Sequence, residues 1–174
     1  MAHDDTLDPE TDLVLRPHRP GDIGHVASRH GALYADEYGW DERMESLVAR
    51  TCADFVDTRD PAHERLWIAE RKKDGSFVGC VMLFNEKEEV EMTAMLRLLL
   101  VEPEARGRGV GKRMVREAVE FARGVGYRRV VVWMQKSEAA RRIYEGLGFE
   151  FVTAIEHEAF GAQLTVELLG LRLE

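Results

Sequence analysis

The chain has 174 residues, 45% hydrophobic and 32% charged, with a formal net charge of −8 and a pI near 5.3. That length predicts one domain with a proper core, and that composition is the composition of a soluble globular protein. The acidic balance argues against nucleic acid or an anionic membrane as a partner, because both select basic surfaces, and no apolar run approaches the roughly 20 residues of a membrane span. The N-terminus is acidic and lacks a signal-peptide core, so a cytoplasmic location is expected. Cys52 and Cys80 stand far apart, without a neighbouring metal-ligand pattern; they read as buried free thiols, and no metal site is expected.

Residues 1–10 are polar and acidic and read as a flexible arm ahead of a single domain over 11–174. Asp12 to Pro17 alternates apolar and polar, as a first strand should. Asp22 follows Pro20-Gly21 as the expected N-cap of a helix that turns Ile23, Val26, Ala27, His30, Leu33 and Tyr34 to one face. Tyr34 to Trp40 is the densest aromatic and acidic cluster of the chain, and Gly39 breaks the helix inside it. Asp41 is expected to cap a second helix running to about Phe55, with Met44, Leu47, Val48, Cys52 and Phe55 inward. A polar loop from Asp57 to Glu64 precedes strands at Leu66–Glu70 and Phe77–Phe84, joined by Lys73-Asp74-Gly75, a strong hairpin signal. The acidic stretch from Asn85 to Glu91 reads as a turn into a strand that ends at Val101.

The next stretch dominates the sequence. Leu96 to Val101 is an apolar run interrupted only by Arg97, and Pro103 stops it. Gly107, Gly109 and Gly111 follow at alternate positions, and then Met114, Val115, Ala118, Val119, Phe121 and Ala122 recur with helical period. A strand that passes through glycines into a helix N-terminus makes an anion site, since the first N–H groups lack partners and the helix dipole is positive there. Arg106, Arg108, Lys112 and Arg113 crowd that end, where cations oppose the dipole unless an anion arrives. A P-loop fails, because Arg113 follows Gly111-Lys112; a dinucleotide fingerprint fails, because Lys112 or Met114 stands where its last glycine belongs.

Beyond it, Arg129 to Trp133 is a β-branched run expected to be central and covered on both faces. A helix over 138–147 ends at Gly148, a strand begins at Phe149, and Gln163 to Leu171 alternates as the last strand, with Phe160-Gly161 near the turn. The order predicts an α+β fold, a mixed α/β sandwich with a central, mostly antiparallel sheet of six to seven strands and helices on both faces.

The turn Arg106-Gly107-Arg108-Gly109-Val110-Gly111 resembles the R/Q-x-x-G-x-G/A motif of the GCN5-related N-acetyltransferases, the GNAT superfamily. Ser137 to Phe149, SEAARRIYEGLGF, resembles its second signature, N-x-x-A-x-x-x-Y-x-x-x-G-F, at Ala140, Tyr144, Gly148 and Phe149; Ser137 replaces the usual Asn. The resemblance implies acetyl-CoA as cosubstrate, its pyrophosphate wrapped by residues 106–111 with Lys112 close by, and no metal. It implies that the strand edge at Leu99, Leu100 and Val101 carries pantetheine and the thioester, that Ser137 and Ala140 lie at the cofactor, and that Tyr144 stands beside the sulfur as general acid. Tyr34, Glu37, Tyr38 and Trp40 would line the site of a small-molecule or peptide amine, closed by the final hairpin. Candidates for the base are Glu37, Glu89 and Glu91; His25 and His30 read as structural, and His157 is a further candidate for the acceptor channel. Homodimers are common among such proteins. The function expected is N-acetyl transfer from acetyl-CoA to a primary amine by direct attack, with another acyl-CoA, or a CoA-binding sensor without turnover, as alternatives.

Overall fold

The computed structural model describes residues 7–87 and 91–174. Strand β1 (Leu13–Pro17) leads into helices α1 (Asp22–Tyr38) and α2 (Arg43–Thr58), then strands β2 (Arg65–Arg71), β3 (Phe77–Asn85) and β4 (Thr93–Val101). A short 3₁₀ turn (Pro103–Ala105) precedes α3 (Val110–Gly124), followed by β5 (Arg129–Gln135), α4 (Glu138–Glu145), β6 (Glu150–Ala159) and β7 (Ala162–Arg172). The seven strands form one sheet in the order β1-β2-β3-β4-β5-β7-β6. Its neighbours are antiparallel except β4 and β5, which are parallel. No helix of the described residues is long and apolar enough to cross a membrane.

The sheet separates two cores. Helix α3 buries Val110, Met114, Val115, Ala118, Val119 and Ala122, a helical stripe that rests on Ala94, Leu96, Val130 and Val132 of β4 and β5. On the opposite face, Val26 and Leu33 of α1 and Met44, Val48, Cys52 and Phe55 of α2 pack on Leu66, Ile68, Cys80 and Met82 of β2 and β3. This is the mixed sandwich that the element order predicts. At one edge β6 is exposed along nearly its whole length, including Phe151, Val152 and Ile155.

Local chemistry corrects several expectations. Helix α1 is capped by Gly21 in the left-handed region (φ 100°), with Asp22 inside the first turn. The Asp22 carboxylate is drawn away by Arg16 at 2.7 Å and the Arg19 N–H at 2.7 Å, and Arg16 also pairs with Glu70 at 2.5 Å. Helix α2 begins at Arg43, and Asp41 serves its start from outside by accepting the Arg43 N–H at 3.1 Å. Helix α4 ends at Glu145, short of 147. Of the expected arm, residues 1–6 lie outside the described residues; after them Leu7 is buried, the Arg113 guanidinium donates to the Pro9 carbonyl, and Arg116 pairs with Glu10 at 2.5 Å.

Two glycines should behave oppositely. A Cβ at Gly79 on β3 would fall on the Leu100 carbonyl oxygen, which belongs to the paired strand and cannot yield, whereas one at Gly24 in α1 meets nothing within 4 Å. In urea denaturation Gly79→Ala should lose about 2 kcal/mol or more through overpacking, while Gly24→Ala should gain about 0.5–1 kcal/mol from a less flexible unfolded chain.

Candidate functional site

The parallel pairing of β4 with β5 runs from Thr93 opposite Arg129 to Leu96 opposite Val132 and stops there. Strand β5 continues beside β7 as far as Gln135, so the two parallel neighbours diverge beyond Leu96. A bulge drives the divergence. Cys80 and Met82 of β3 face Leu100 and Arg97, so three steps of β4 oppose two of β3. Leu98 occupies the left-handed region (φ 54°), and its carbonyl accepts the Cys80 thiol at 3.2 Å. The extra residue reverses the alternation. Before it, Ala94 and Leu96 point to the α3 side; after it, Leu98 and Leu100 pack on the α1–α2 side and Leu99 and Val101 on the α3 side. The polar edge of Leu99–Val101 that would have met β5 is left open beside the turn into α3.

In that turn Gly107 (φ 72°) and Gly109 (φ 83°) are left-handed, and the nearest atom to a Cβ at Gly109 would be Pro9 Cγ at 3.8 Å. Gly109 caps α3 with no side-chain acceptor, and the first bond back into the helix comes from the Arg113 N–H to the Gly109 carbonyl at 2.9 Å. The N–H groups of Val110, Gly111 and Lys112 thus face out of a positive helix end. The cations are less free than the sequence suggests. Arg106 pairs with Glu37 at 2.6 Å and donates to the Val101 carbonyl at 2.9 Å, while Arg113 is spent on the Pro9 and Leu13 carbonyls. Lys112 extends toward Gly146 at the end of α4.

The divergence opens into a cleft of about 360 Å³. Tyr34, Tyr38 and Trp40 form one wall, with Leu98 and Leu99 of β4, Trp133 and Gln135 of β5, and Ser137, Ala140 and Tyr144 around the rest. The aromatic wall is a network, with Tyr34–Trp40 centroids 5.3 Å apart, Tyr38–Trp40 5.1 Å and Trp40–Phe160 5.1 Å. Phe160 comes from the β6–β7 turn, whose carbonyl accepts the Asp41 N–H at 3.1 Å, so the last hairpin closes over this wall. Trp133, expected to be covered, instead faces the opening. Ser137 caps α4 by accepting the Ala140 N–H at 3.4 Å. Tyr144 is 2% exposed, its ring edge-on to Phe149 at 5.3 Å, and burial pushes its phenol above the ordinary value, so it stays protonated at neutral pH. The Gln135 Oε1 is buried without a hydrogen-bond partner, an acceptor waiting for an N–H that the protein does not supply. The outward N–H groups, the glycine cradle and this orphan acceptor fit a long ligand with an anionic end and amide links.

Tyr34, Tyr38 and Trp40 therefore share the cleft, but Glu37 does not line it and turns to Arg106. Glu91 is exposed outside the cleft, Glu89 lies outside the described residues, and His25 packs edge-on to Phe77 at 4.6 Å. His157 and His30 both line the cleft. Sequence reasoning took His30 as structural and gave no role to Arg97, Gln135 or Phe160, which also line it. The one signal for Arg97 was its interruption of an apolar run.

His30 is 1% exposed; its Nδ1 lies 2.8 Å from the Val26 carbonyl, and its Nε2 has no partner. That contact assigns the proton to Nδ1 and leaves a lone pair on Nε2. Burial lowers the imidazole from 6.5 to about 4, so it is neutral at pH 7. Between these values the unfolded chain binds a proton that the fold refuses, so stability is lost as pH falls from 6.5 toward 4. Urea unfolding at pH 7 and pH 4.5 should show a loss of about 2 kcal/mol from this group, and His30→Leu should reduce the loss by that amount.

The sequence pattern of the acetyltransferase (GNAT) family matches residues 30–149. N-acetyltransferase 8F1 of Rattus norvegicus is 31% identical over 114 residues, 64% of this chain and 51% of that protein. N-acetylaspartate synthetase of Rattus norvegicus is 33% identical over 123 residues, 66% of this chain and 40% of that one. The chain thus spans about half the length, or less, of these curated relatives. Ribosomal-protein-alanine N-acetyltransferase from Brucella melitensis matches the fold with a TM-score of 0.74 at 19% identity, over 92% of this chain and 99% of that one. Spermidine N-acetyltransferase from Vibrio cholerae, solved with CoA and spermine, matches with a TM-score of 0.70 at 18% identity, over 92% of this chain and 95% of that one. With the family pattern spanning both glycine signatures and the cleft between them, this chain belongs to the acetyltransferase (GNAT) family.

Proposed function

We propose that the chain transfers the acetyl group of acetyl-CoA to a primary amine by direct attack within a ternary complex. The observation that carries this reading is the divergence of β4 from β5 at Leu96, which sets an open strand edge between an uncapped helix N-terminus and a cleft lined by Tyr144. The N–H groups of Val110, Gly111 and Lys112, with Gly107, Gly109 and the cations Arg106 and Arg108 beside them, take the diphosphate. The edge of Leu99–Val101 that β5 leaves unpaired, apart from the Val101 carbonyl held by Arg106, carries the pantetheine arm and the thioester, with Gln135, Ser137 and Ala140 along its other side. Tyr34, Tyr38 and Trp40 receive the acceptor.

The amine nitrogen bonds to the thioester carbon as the C–S bond breaks; the departing sulfur takes the Tyr144 proton, and the proton that the nitrogen sheds on becoming an amide restores the Tyr144 phenol. Direct attack is favoured over an acyl-enzyme because neither cysteine lines the cleft: Cys52 is pushed up to about 11 by burial, and Cys80 is raised further in a fully buried site. The amine must shed a proton first, since an alkyl ammonium titrates near ~10.4. His30 Nε2, held neutral by burial, accepts a hydrogen bond from the neutral amine, whereas an imidazole lowered to about 4 does not take the proton of the ammonium.

Acetyl-CoA or CoA at about 100 times its dissociation constant should add about 2.7 kcal/mol of stability, a rise of about 5–10 °C in Tm for a chain of this size, and NAD should add none. Absence of a shift with either CoA species overturns the cosubstrate assignment. Tyr144→Phe should keep the shift and lower kcat about 100-fold or more in a thiol-release assay; an undiminished kcat removes Tyr144 as the acid.

A further inference from the structure

Arg97 is the only Lys, Arg, Asp or Glu among the described residues that line the cleft. It immediately precedes the bulge: ordinary alternation with Leu96 turns it toward α1 and α2, and the reversal brings Leu98 to the same side. Its guanidinium stacks on the Phe84 ring, 5.3 Å from the centroid, and no carboxylate of the described residues pairs with it. The hollow on its far side contains Asp54, Glu64 and Glu86, yet none of them reaches it. Glu64 is already held by the N–H groups of Asp60 at 2.7 Å and Asn85 at 2.9 Å. A stacked arginine with no acid partner among the described residues, in a cleft whose described lining holds no other Lys, Arg, Asp or Glu, is a preset site for an anion. A polycationic amine would find no carboxylate in the cleft and a repelling guanidinium.

We infer that the acceptor is an amine that also carries a carboxylate and an apolar body: Arg97 pairs with the carboxylate, and Tyr34, Tyr38 and Trp40 cover the body. The inference rests on the acetyltransferase reading and specifies its substrate class. The unpartnered His30 Nε2 in the same cleft suits the nitrogen end of such a molecule, so Arg97 and His30 match the two ends of an amino acid.

The test compares amines that differ only in the carboxylate: phenylalanine with 2-phenylethylamine, and tryptophan with tryptamine, each in thiol release from acetyl-CoA. The wild type should favour the amino acid of each pair by tenfold or more in kcat/KM. Arg97→Met should abolish that preference mainly through KM, leave the thermal shift with acetyl-CoA intact, and be partly rescued by Arg97→Lys. Equal or better use of the decarboxylated amines by the wild type, or a preference that survives in Arg97→Met, overturns the inference. A binding arm needs no turnover: 3-phenylpropionate and 3-phenylpropylamine are titrated while the intrinsic tryptophan fluorescence is followed, to which Trp40 and Trp133 contribute from the cleft and Trp67 from the core. Saturable binding of the acid alone, weakened tenfold or more in Arg97→Met, supports the site, and its absence overturns it. Loss of the acetyl-CoA shift, by contrast, sinks the acetyltransferase reading while the binding arm still decides the role of Arg97.

Discussion

Everything at the cleft depends on two parallel strands that stop holding each other. Strands β4 and β5 run in the same direction and each leads on to a helix, β4 through the 3₁₀ and glycine turns and β5 through Ser137, so the start of α3 comes to lie against the end of α4. The two helix starts are treated differently. Ser137 satisfies the start of α4 with its own hydroxyl, whereas α3 begins at Gly109 with no side-chain cap. The gap between the strands and the unfilled helix end are therefore one feature: a place where the backbone withholds its hydrogen bonds from itself.

Electrostatics around this end are more economical than a count of basic residues suggests. Glu37 sits in the last turn of α1, where a carboxylate opposes the helix dipole, and Arg106 offsets that cost by reaching across from the glycine turn. The same arginine braces the turn through the Val101 carbonyl. Arg113 is taken up by the chain just before and at the start of β1. The positive character of the site therefore comes chiefly from oriented N–H groups, with side-chain cations in part committed elsewhere, and the Arg106–Glu37 pair ties the last turn of α1 to the turn beside α3.

The layered architecture was legible because its signals are periodic. The stripe from Val110 to Ala122 has helical spacing, the Asp74-Gly75 turn marks a hairpin, and the two glycine signatures fall on either side of one helix and one strand. What escaped is what breaks a period. The bulge at Leu98 is hidden in an uninterrupted leucine run, because a change of face carries no signal when every residue is apolar. Arg97 is the lone exception beside it; alternation with Leu96 sets the side to which it points, and the bulge adds Leu98 to that side. His30 shares its apolar face with Val26 and Leu33, and its unpartnered nitrogen depends on groups from distant strands. Residues 7–10 read as an arm because their polarity is local, whereas their anchors, Arg113 and Arg116, lie a hundred residues on.

The open margin of the sheet has its own consequence for how copies of this chain meet. Strand β6 offers ten residues whose outer backbone edge has no partner among the described strands, with three exposed apolar side chains along it. Such an edge is a template for self-association and fibre growth. Glu150, Glu156 and Glu158 lie on the same strand, so a second copy laid alongside would bring carboxylates against carboxylates in a molecule that already carries a net charge of −8. At the opposite margin, β1 is only five residues long and ends in Pro17, which has no N–H to offer. Repulsion guards one margin and brevity the other, so colloidal stability is set at the edges of the sheet, away from the interior strands that diverge.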